Sequence, residues 1–152
     1  MSEPTKGFIC YAAGYKYQLR QDAVAESGIA LQTPVTHEYF TISESGLITV
    51  KRGYAWDGAS SVAIDDPGTI YASLFHDAGY QAIRCGLIDG RWRKELDAMY
   101  RQLCINGGVF PARAEAHYLA LRIGGGQYNK LVSSDYPSII ICLVSLVMHS
   151  PQ

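Results

Sequence analysis

The sequence predicts an α+β fold, with an N-terminal antiparallel β-sheet packed on a bundle of about three helices. Strand-type residues and a hairpin signal are concentrated in the β-rich part, residues 1–60. Residues 66–126 instead show helical periodicity with start and stop signals. Because the strands precede the helices and do not alternate with them, the order favours α+β over a parallel α/β sheet.

The strand predictions rest on composition and turn chemistry. Residues 8–19 are rich in Tyr, Phe and Ile, and residues 37–42 have strand composition. The polar stretch 43–46 ends in Gly and is typical of a turn, so residues 47–50 are predicted as the returning strand of a hairpin. Residues 52–56 are predicted to add a further short strand.

Three helices are predicted from caps, apolar faces and glycine stops. Asp66 and Pro67 favour a helix start before residues 69–84. A second helix is predicted over 91–105, followed by Asn-Gly-Gly. A third, opened by Pro111, is predicted over 112–123 and is expected to end at the three glycines 124–126.

Length and charge narrow the functional classes. The 152 residues are expected to form a single domain, 1–152. A formal net charge of −1 argues against a dedicated nucleic-acid binder. The N-terminus has no signal-peptide pattern, and the four cysteines form no C-x-x-C pair, so four reduced thiols are expected. Eleven tyrosines suit interfaces as well as cores.

The apolar C-terminal segment, 138–149, is the stretch that most resembles a membrane sequence. Its apolar run, 139–148, has 10 residues, against the roughly 20 needed to span a bilayer. No transmembrane segment is therefore expected. The run is predicted to be buried against the domain, and the alternative is insertion into a partner or contact with a membrane surface.

A polar cluster in the first predicted helix is the strongest candidate for a site. His76 and Tyr80 are four residues apart and share a helical face, while Asp77 points about 100° away. At the border of the apolar face, the His76 side chain is expected to be partly buried and still accessible to a substrate, a placement that suits a general base. The alternative is an ordinary histidine at a helix boundary, beside a solvated Asp77.

Two further carboxylates are candidates for the same site. Asp97 borders the apolar stripe of the second helix and would face His76 if the two helices pack antiparallel; the alternative is a surface position. Asp57 lies on a loop before the first helix, where it could bind a hard cation or cap the turn. His117, on the third helix, is predicted to be a packing or surface residue.

The chain resembles the phage and prophage proteins of domain-of-unknown-function family 1353. The resemblance is carried by five ordered segments, which are 53–60, 72–80, 97–100, 108–109 and 118–124. It implies a bacteriophage or prophage origin but no established reaction. Synthesis in the host cytoplasm is therefore expected, and incorporation into the phage virion is an alternative left open. The family tends to have a Pro soon after the position of Ser60, and this chain has none there.

A looser resemblance is to phospholipase A2, through the pattern His76-Asp77-x-x-Tyr80 followed by Asp97. It implies that His76 activates water, that Asp77 binds calcium, and that Asp97 and Tyr80 hold the site. The chain departs from that family in lacking its glycine-rich calcium loop, unless the loop of Asp57 substitutes, and in lacking its paired disulfides.

Two functional hypotheses follow. In the first, the chain is a phage-encoded, hydrolase-like domain that uses a divalent cation, Ca²⁺ or Mg²⁺, held by Asp77 with Asp57. In the second, it is a non-catalytic virion, tail or assembly protein whose partners are other phage virion proteins or further copies of itself. An open cleft over His76 favours the enzyme, and a sealed one favours the structural protein.

Overall fold

A computed structural model of the protein describes residues 5–6, 11–12, 17–59 and 65–135. Its strands are β1 (Thr5–Lys6), β2 (Tyr11–Ala12), β3 (Tyr17–Leu19), β4 (Ala23–Glu26), β5 (Val35–Thr36), β6 (Phe40–Ile42), β7 (Leu47–Val50) and β8 (Ala55–Trp56). Its helices are α1 (Pro67–Arg84), a short 3₁₀ turn (Gly90–Trp92), α2 (Arg93–Asn106) and α3 (Pro111–Asp135). Described strands precede described helices, which confirms the predicted α+β fold.

The strands form two sheets. One has the order β1-β4-β7-β6-β5 and is antiparallel except for its parallel edge pair, β1 and β4. The other has the order β2-β3-β8 and is antiparallel. Strands β1, β4 and β5 were not predicted, because β1 and β5 have two residues each, too few for a pattern, and β4 contains Ala and Glu, which are depleted in strands. Pairing with β7 and β6 places them in the sheet.

The predicted hairpin is confirmed as β6 and β7. Phe40 pairs with Val50, and Ile42 pairs with Ile48, so one buried face runs across both strands. Gly46 closes the turn with φ +86°, a left-handed conformation that favours glycine. Its amide donates to the Ser43 carbonyl oxygen at 3.0 Å. The turn and the alternating burial together fix the register.

Helix α1 begins where its capping signal predicts. The Asp66 side chain accepts a hydrogen bond from the Thr69 amide, and the Thr69 hydroxyl accepts one from the Asp66 amide, both at 2.9 Å. This capping box satisfies donors that a helix start leaves unpaired, and Pro67 at the first turn removes another. After the helix, Gly86 adopts φ +69°, as expected beyond a helix end.

The predicted end of the third helix was wrong. Helix α3 continues through the three glycines at 124–126 and ends at Asp135. Glycine lowers helix propensity by about 1 kcal/mol relative to Ala but leaves helical φ and ψ accessible. The first proline after Pro111 is Pro137, and proline disfavours helix at the residue before it. The glycine run therefore weakens the helix locally without ending it.

One apolar cluster joins the larger sheet to α1 and α2. It includes Phe40 and Ile48 from the sheet, Phe75 from α1 and Leu96 from α2, all fully buried. Two hydrogen bonds tie α1 to the segment that contains β8: the Trp56 indole donates to Ser73 Oγ at 3.0 Å, and the Tyr54 hydroxyl donates to Gln81 at 3.1 Å. These contacts hold the loop after β8 beside the helix.

The predictions for the four cysteines and for the apolar C-terminal segment concern residues that are described only in part or not at all. Cys104 is a buried free thiol, and Cys85 is likewise not in a disulfide, while Cys10 and Cys142 lie outside the described residues. The predicted burial of the apolar segment 138–149 also lies outside them. No helix within the described ranges is long and apolar enough to cross a membrane.

Candidate functional site

The site is centred on Asp97, which lies in the middle of α2 and is fully buried. Its Oδ1 accepts hydrogen bonds from His76 Nε2 at 2.8 Å and from the Tyr80 hydroxyl at 2.6 Å. The predicted convergence of these three side chains is confirmed, and the surface alternative for Asp97 was wrong. Antiparallel packing of α1 and α2 turns the Asp97 edge of the apolar stripe toward His76.

A third donor, Arg122, reaches Asp97 from α3. Its guanidinium donates to Asp97 Oδ2 at 2.8 Å, so both carboxylate oxygens are engaged. Sequence reasoning missed Arg122. Its position in the third helix gave no sign of a partner on α2, because that pairing depends on how the two helices pack. The hydrogen bond to Asp97 raises the pKa of Arg122 and keeps this cation fixed at the carboxylate.

The electrostatics of Asp97 keep it ionised. Burial alone would raise the pKa of Asp97, but hydrogen bonds from His76, Tyr80 and Arg122 outweigh it and hold the pKa below its ordinary value. An ionised carboxylate only accepts hydrogen bonds, so the proton between Asp97 and His76 belongs to His76 Nε2. Burial, together with the adjacent Asp97, raises the pKa of the Tyr80 hydroxyl, which stays a donor.

This assignment leaves His76 Nδ1 as the basic nitrogen of the ring. In the part of the chain that the structure describes, Nδ1 makes no hydrogen bond and is not among the buried atoms that lack a partner. The ring packs between Tyr80, at 4.3 Å between centroids, and Tyr100, at 5.3 Å. An imidazole oriented by a carboxylate through one nitrogen, with its second nitrogen available, is the arrangement of a general base.

A small cleft opens beside the ring of His76, with a volume of about 270 Å³ including the space at its mouth. It lies between α1, α3 and the loop after β8. The residues that line it are Gly58, Ala59, Ser73, His76, Asp77, Tyr100, His117 and Leu121. The cleft is wide enough for a single functional group of a ligand and not for a whole drug-sized molecule.

Asp77 lies on the wall of this cleft and is half-buried. Its carboxylate makes no hydrogen bond to any residue in the described ranges. Burial raises its pKa to about 6; His76 and Arg84 oppose the shift, and Asp57 adds to it. A desolvated carboxylate without a partner lowers the stability of the fold, so such groups are found mainly at catalytic and binding sites.

Asp57 does not reach the cleft. It is exposed on the loop after β8, while the next two residues, Gly58 and Ala59, form the cleft wall. The loop is organised instead by Asp65, which accepts a hydrogen bond from the Ala59 amide at 3.0 Å and one from the Tyr17 hydroxyl at 2.9 Å. Sequence reasoning missed Asp65, because its side-chain partner Tyr17 lies 48 residues away in the sequence.

The predicted divalent cation has only part of a binding site. Within residues 17–59 and 65–135, no three His, Cys, Asp or Glu side chains come close enough together to hold a metal ion. Among the described residues that line the cleft, Asp77 is the one carboxylate. These residues therefore do not fit a resident cation, and the cation stays a prediction carried by the resemblance to phospholipase A2.

His117 was expected to be a packing or surface residue and not a ligand; it is buried, which agrees with packing, and it also lines the cleft. It is buried on α3, with its ring centroid 6.2 Å from that of Tyr100. The helical pattern could not reveal this, because His117 shares a cleft with α1 only after α3 packs on α2. Among the described residues that line the cleft, two are histidines, His76 and His117, and the ring of Tyr100 lies near both.

Comparisons with protein-family models, with curated proteins and with solved structures found no match to this chain. The resemblances to family 1353 and to phospholipase A2, and the phage origin that the first implies, therefore stay predictions from the sequence.

Proposed function

We propose that this protein is a hydrolase with a phospholipase A2-like site, in which His76 is the general base and Asp97 is its positioning residue. One observation carries the proposal: Asp97 holds His76 Nε2 at 2.8 Å, while the remaining nitrogen, Nδ1, is left available on a ring that lines a cleft. General-base catalysis needs an imidazole held in one orientation, with one nitrogen free to take a proton, beside a space that admits the reacting group of a substrate.

The reaction this arrangement supports is hydrolysis of an ester or amide. His76 Nδ1 takes a proton from water as the water oxygen bonds to the carbonyl carbon. Asp97 stabilises the imidazolium that forms, and Tyr80 and Arg122 keep the carboxylate in place. When the bond to the leaving group breaks, the imidazolium returns its proton to the leaving oxygen or nitrogen. Water and substrate are consumed, and an acid and an alcohol or amine are released.

Asp77 distinguishes this proposal from a purely structural role. Members of a structural polar network normally satisfy one another, and Asp97 is fully satisfied by His76, Tyr80 and Arg122. Asp77 lies on the cleft wall without such a partner among the described residues. Its carboxylate lies where a ligand in the cleft would contact it.

The second candidate is a non-catalytic phage virion or assembly protein, and one observation favours it. Asp97 on α2 joins His76 and Tyr80 on α1 to Arg122 on α3, so one buried carboxylate fastens all three helices. In this case the network serves stability alone. Loss of Arg122 or Tyr80 would then lower the free energy of unfolding, and no substrate would be turned over.

The test is hydrolysis of 4-nitrophenyl butyrate and of phosphatidylcholine vesicles by the purified chain, with CaCl₂ or with EDTA. We expect turnover of at least one substrate, and its loss by at least about 10²-fold in His76→Gln. His37→Gln is the matched control, because His37 lies outside the cleft, and Gln retains an acceptor for the Tyr39 amide. Equal turnover by wild type and His76→Gln would contradict the proposal, and so would no turnover of either substrate with or without calcium.

A further inference from the structure

His117 is a buried histidine with an unsatisfied ring nitrogen in the wall of the cleft. The residue is 6% exposed, and its Nδ1 is buried without a hydrogen-bond partner in the described part of the chain. A buried polar atom left unpaired costs folding free energy. Because Nδ1 is buried and His117 lines the cleft, any contact between this ring and a ligand falls to the other ring nitrogen, Nε2.

The surroundings of His117 fix its tautomer. A buried N–H without an acceptor is rarer than a buried lone pair without a donor, so the sealed Nδ1 is the bare nitrogen. The ring proton is then on Nε2, which is not among the buried side-chain atoms that lack a hydrogen-bond partner. Burial, together with the Arg113 guanidinium, lowers the pKa of His117, with Asp66 opposing. His117 is thus a neutral hydrogen-bond donor near neutral pH.

We propose that His117 is a catalytic residue that donates a hydrogen bond from Nε2 to the carbonyl oxygen of a neutral ester or amide, across the cleft from His76. This inference rests on the proposed function and adds a second catalytic group and a substrate class to it. As the water attacks, the carbonyl oxygen gains negative charge. A neutral imidazole donor can stabilise that charge without giving up its proton.

His76 and His117 line the same cleft from two different helices. His76 and His117 both pack against the ring of Tyr100, at 5.3 and 6.2 Å between centroids, so a group bound beside Tyr100 lies within reach of both histidines. His76 comes from α1 and His117 from α3. The base and the donor are thereby held on separate rigid helices, which keeps their separation fixed during a reaction.

The charges in the cleft select against anionic ligands. Neither Lys nor Arg is among the described residues that line it, and Asp77 contributes a carboxylate. A free carboxylate or phosphate would meet this negative charge with no Lys or Arg among the described lining residues to offset it. An uncharged carbonyl meets no such penalty. The preferred ligand is therefore the carbonyl group of a neutral ester or amide that enters the open side of the cleft.

The first test needs no variant and no activity. In ¹⁵N-histidine-labelled wild-type protein, we expect NMR to show His117 as the neutral Nε2–H tautomer at pH 7. Titration with N-methylacetamide, a neutral carbonyl probe, should shift the His117 Nε2–H resonance, and sodium acetate at equal concentration should shift it at least several-fold less. A proton on Nδ1, or an equal or larger response to acetate, would overturn the inference.

The second test is kinetic, with 4-nitrophenyl butyrate. We expect His117→Leu to lower kcat by about 10²–10³-fold with a smaller change in KM, as for loss of one oxyanion donor. His117→Gln, whose amide nitrogen can replace Nε2–H, should recover part of the loss, and His37→Gln should match wild type. Thermal unfolding checks that each variant is folded; if His117→Leu does not fold, the NMR test decides.

The outcomes separate this inference from the proposed function. Wild-type kcat in a folded His117→Leu, with activity lost in His76→Gln, would overturn the role of His117 and leave the hydrolase proposal standing. Absence of any hydrolysis, together with a selective shift by N-methylacetamide, would refute the hydrolase and support His117 as the carbonyl donor of a binding cleft. Absence of both hydrolysis and the shift would overturn both.

Discussion

Replacing Asp97 by Asn tests the centre of the site with the smallest change of shape. The wild-type carboxylate accepts hydrogen bonds from His76, Tyr80 and Arg122. The amide has one oxygen and one NH₂ group, so it cannot accept on both sides. If its oxygen faces His76 and Tyr80, the NH₂ group confronts the Arg122 guanidinium. If it is flipped, His76 must accept at Nε2, and the ring proton moves to Nδ1.

The expected loss of stability is about 3 kcal/mol. One hydrogen bond to a charged group disappears, at roughly 1.5–3 kcal/mol, and the bonds that remain lose their charge assistance. Arg122 is 30% exposed and can regain water, so the cost stays below the upper range of about 5 kcal/mol for breaking a buried pair. With a urea m-value of about 2 kcal/mol/M, the midpoint falls by about 1.5 M.

Urea unfolding followed by circular dichroism at pH 7 measures this loss. The matched control is Glu115→Gln, which removes the carboxylate of an exposed pair with Arg101 at 2.9 Å, close to the 2.8 Å between Asp97 and Arg122. Such a pair contributes at most about 1 kcal/mol, so this midpoint should move little. If Asp97→Asn cost no more than Glu115→Gln, the view of Asp97 as the buried junction of three helices would be refuted.

Three further predictions concern the helices, pH and the buried thiol. Gly79→Ala should destabilise the fold by about 1–3 kcal/mol, because the new methyl group overlaps Leu96 of α2. Gly124→Ala, which has open space around it, should stabilise the fold by about 0.5–1 kcal/mol. Calorimetry that gives the opposite order of stability for the two variants would contradict the packing. Because the folded pKa of Asp77 is raised to about 6, its contribution to stability is present below about pH 4 and is lost as pH rises through 6. Asp77→Asn should therefore gain about 1–3 kcal/mol over wild type at pH 8 and nothing at pH 4, and a pH-independent difference in urea unfolding would count against this. Burial raises the pKa of the Cys104 thiol to about 11. Dithionitrobenzoate at pH 8 should therefore label Cys104 only after unfolding, which peptide mapping would detect. Labelling of Cys104 in the native protein would contradict its burial.

The sequence by itself determined the features that depend on neighbours along the chain. The cap at Asp66, the hairpin turn at Gly46 and the shared face of His76 and Tyr80 all follow from spacings of four residues or fewer. Backbone geometry fixes such relations before any tertiary contact forms. The order of strands and helices, and hence the α+β class, follows in the same way from local composition and periodicity.

Only the tertiary structure decided which side chains of different elements meet. The pairing of Asp97 with His76 depended on antiparallel packing of α1 and α2, which a short connection favours and the sequence could anticipate. Arg122 and His117 depended on how α3 lies against α2, and no local pattern encodes that angle. A small rotation about a helix axis moves a side chain from a cleft to solvent. The sequence thus anticipated the pairing of His76 with Asp97, and the packing of α3 decided the third donor, Arg122, and the second histidine of the cleft, His117.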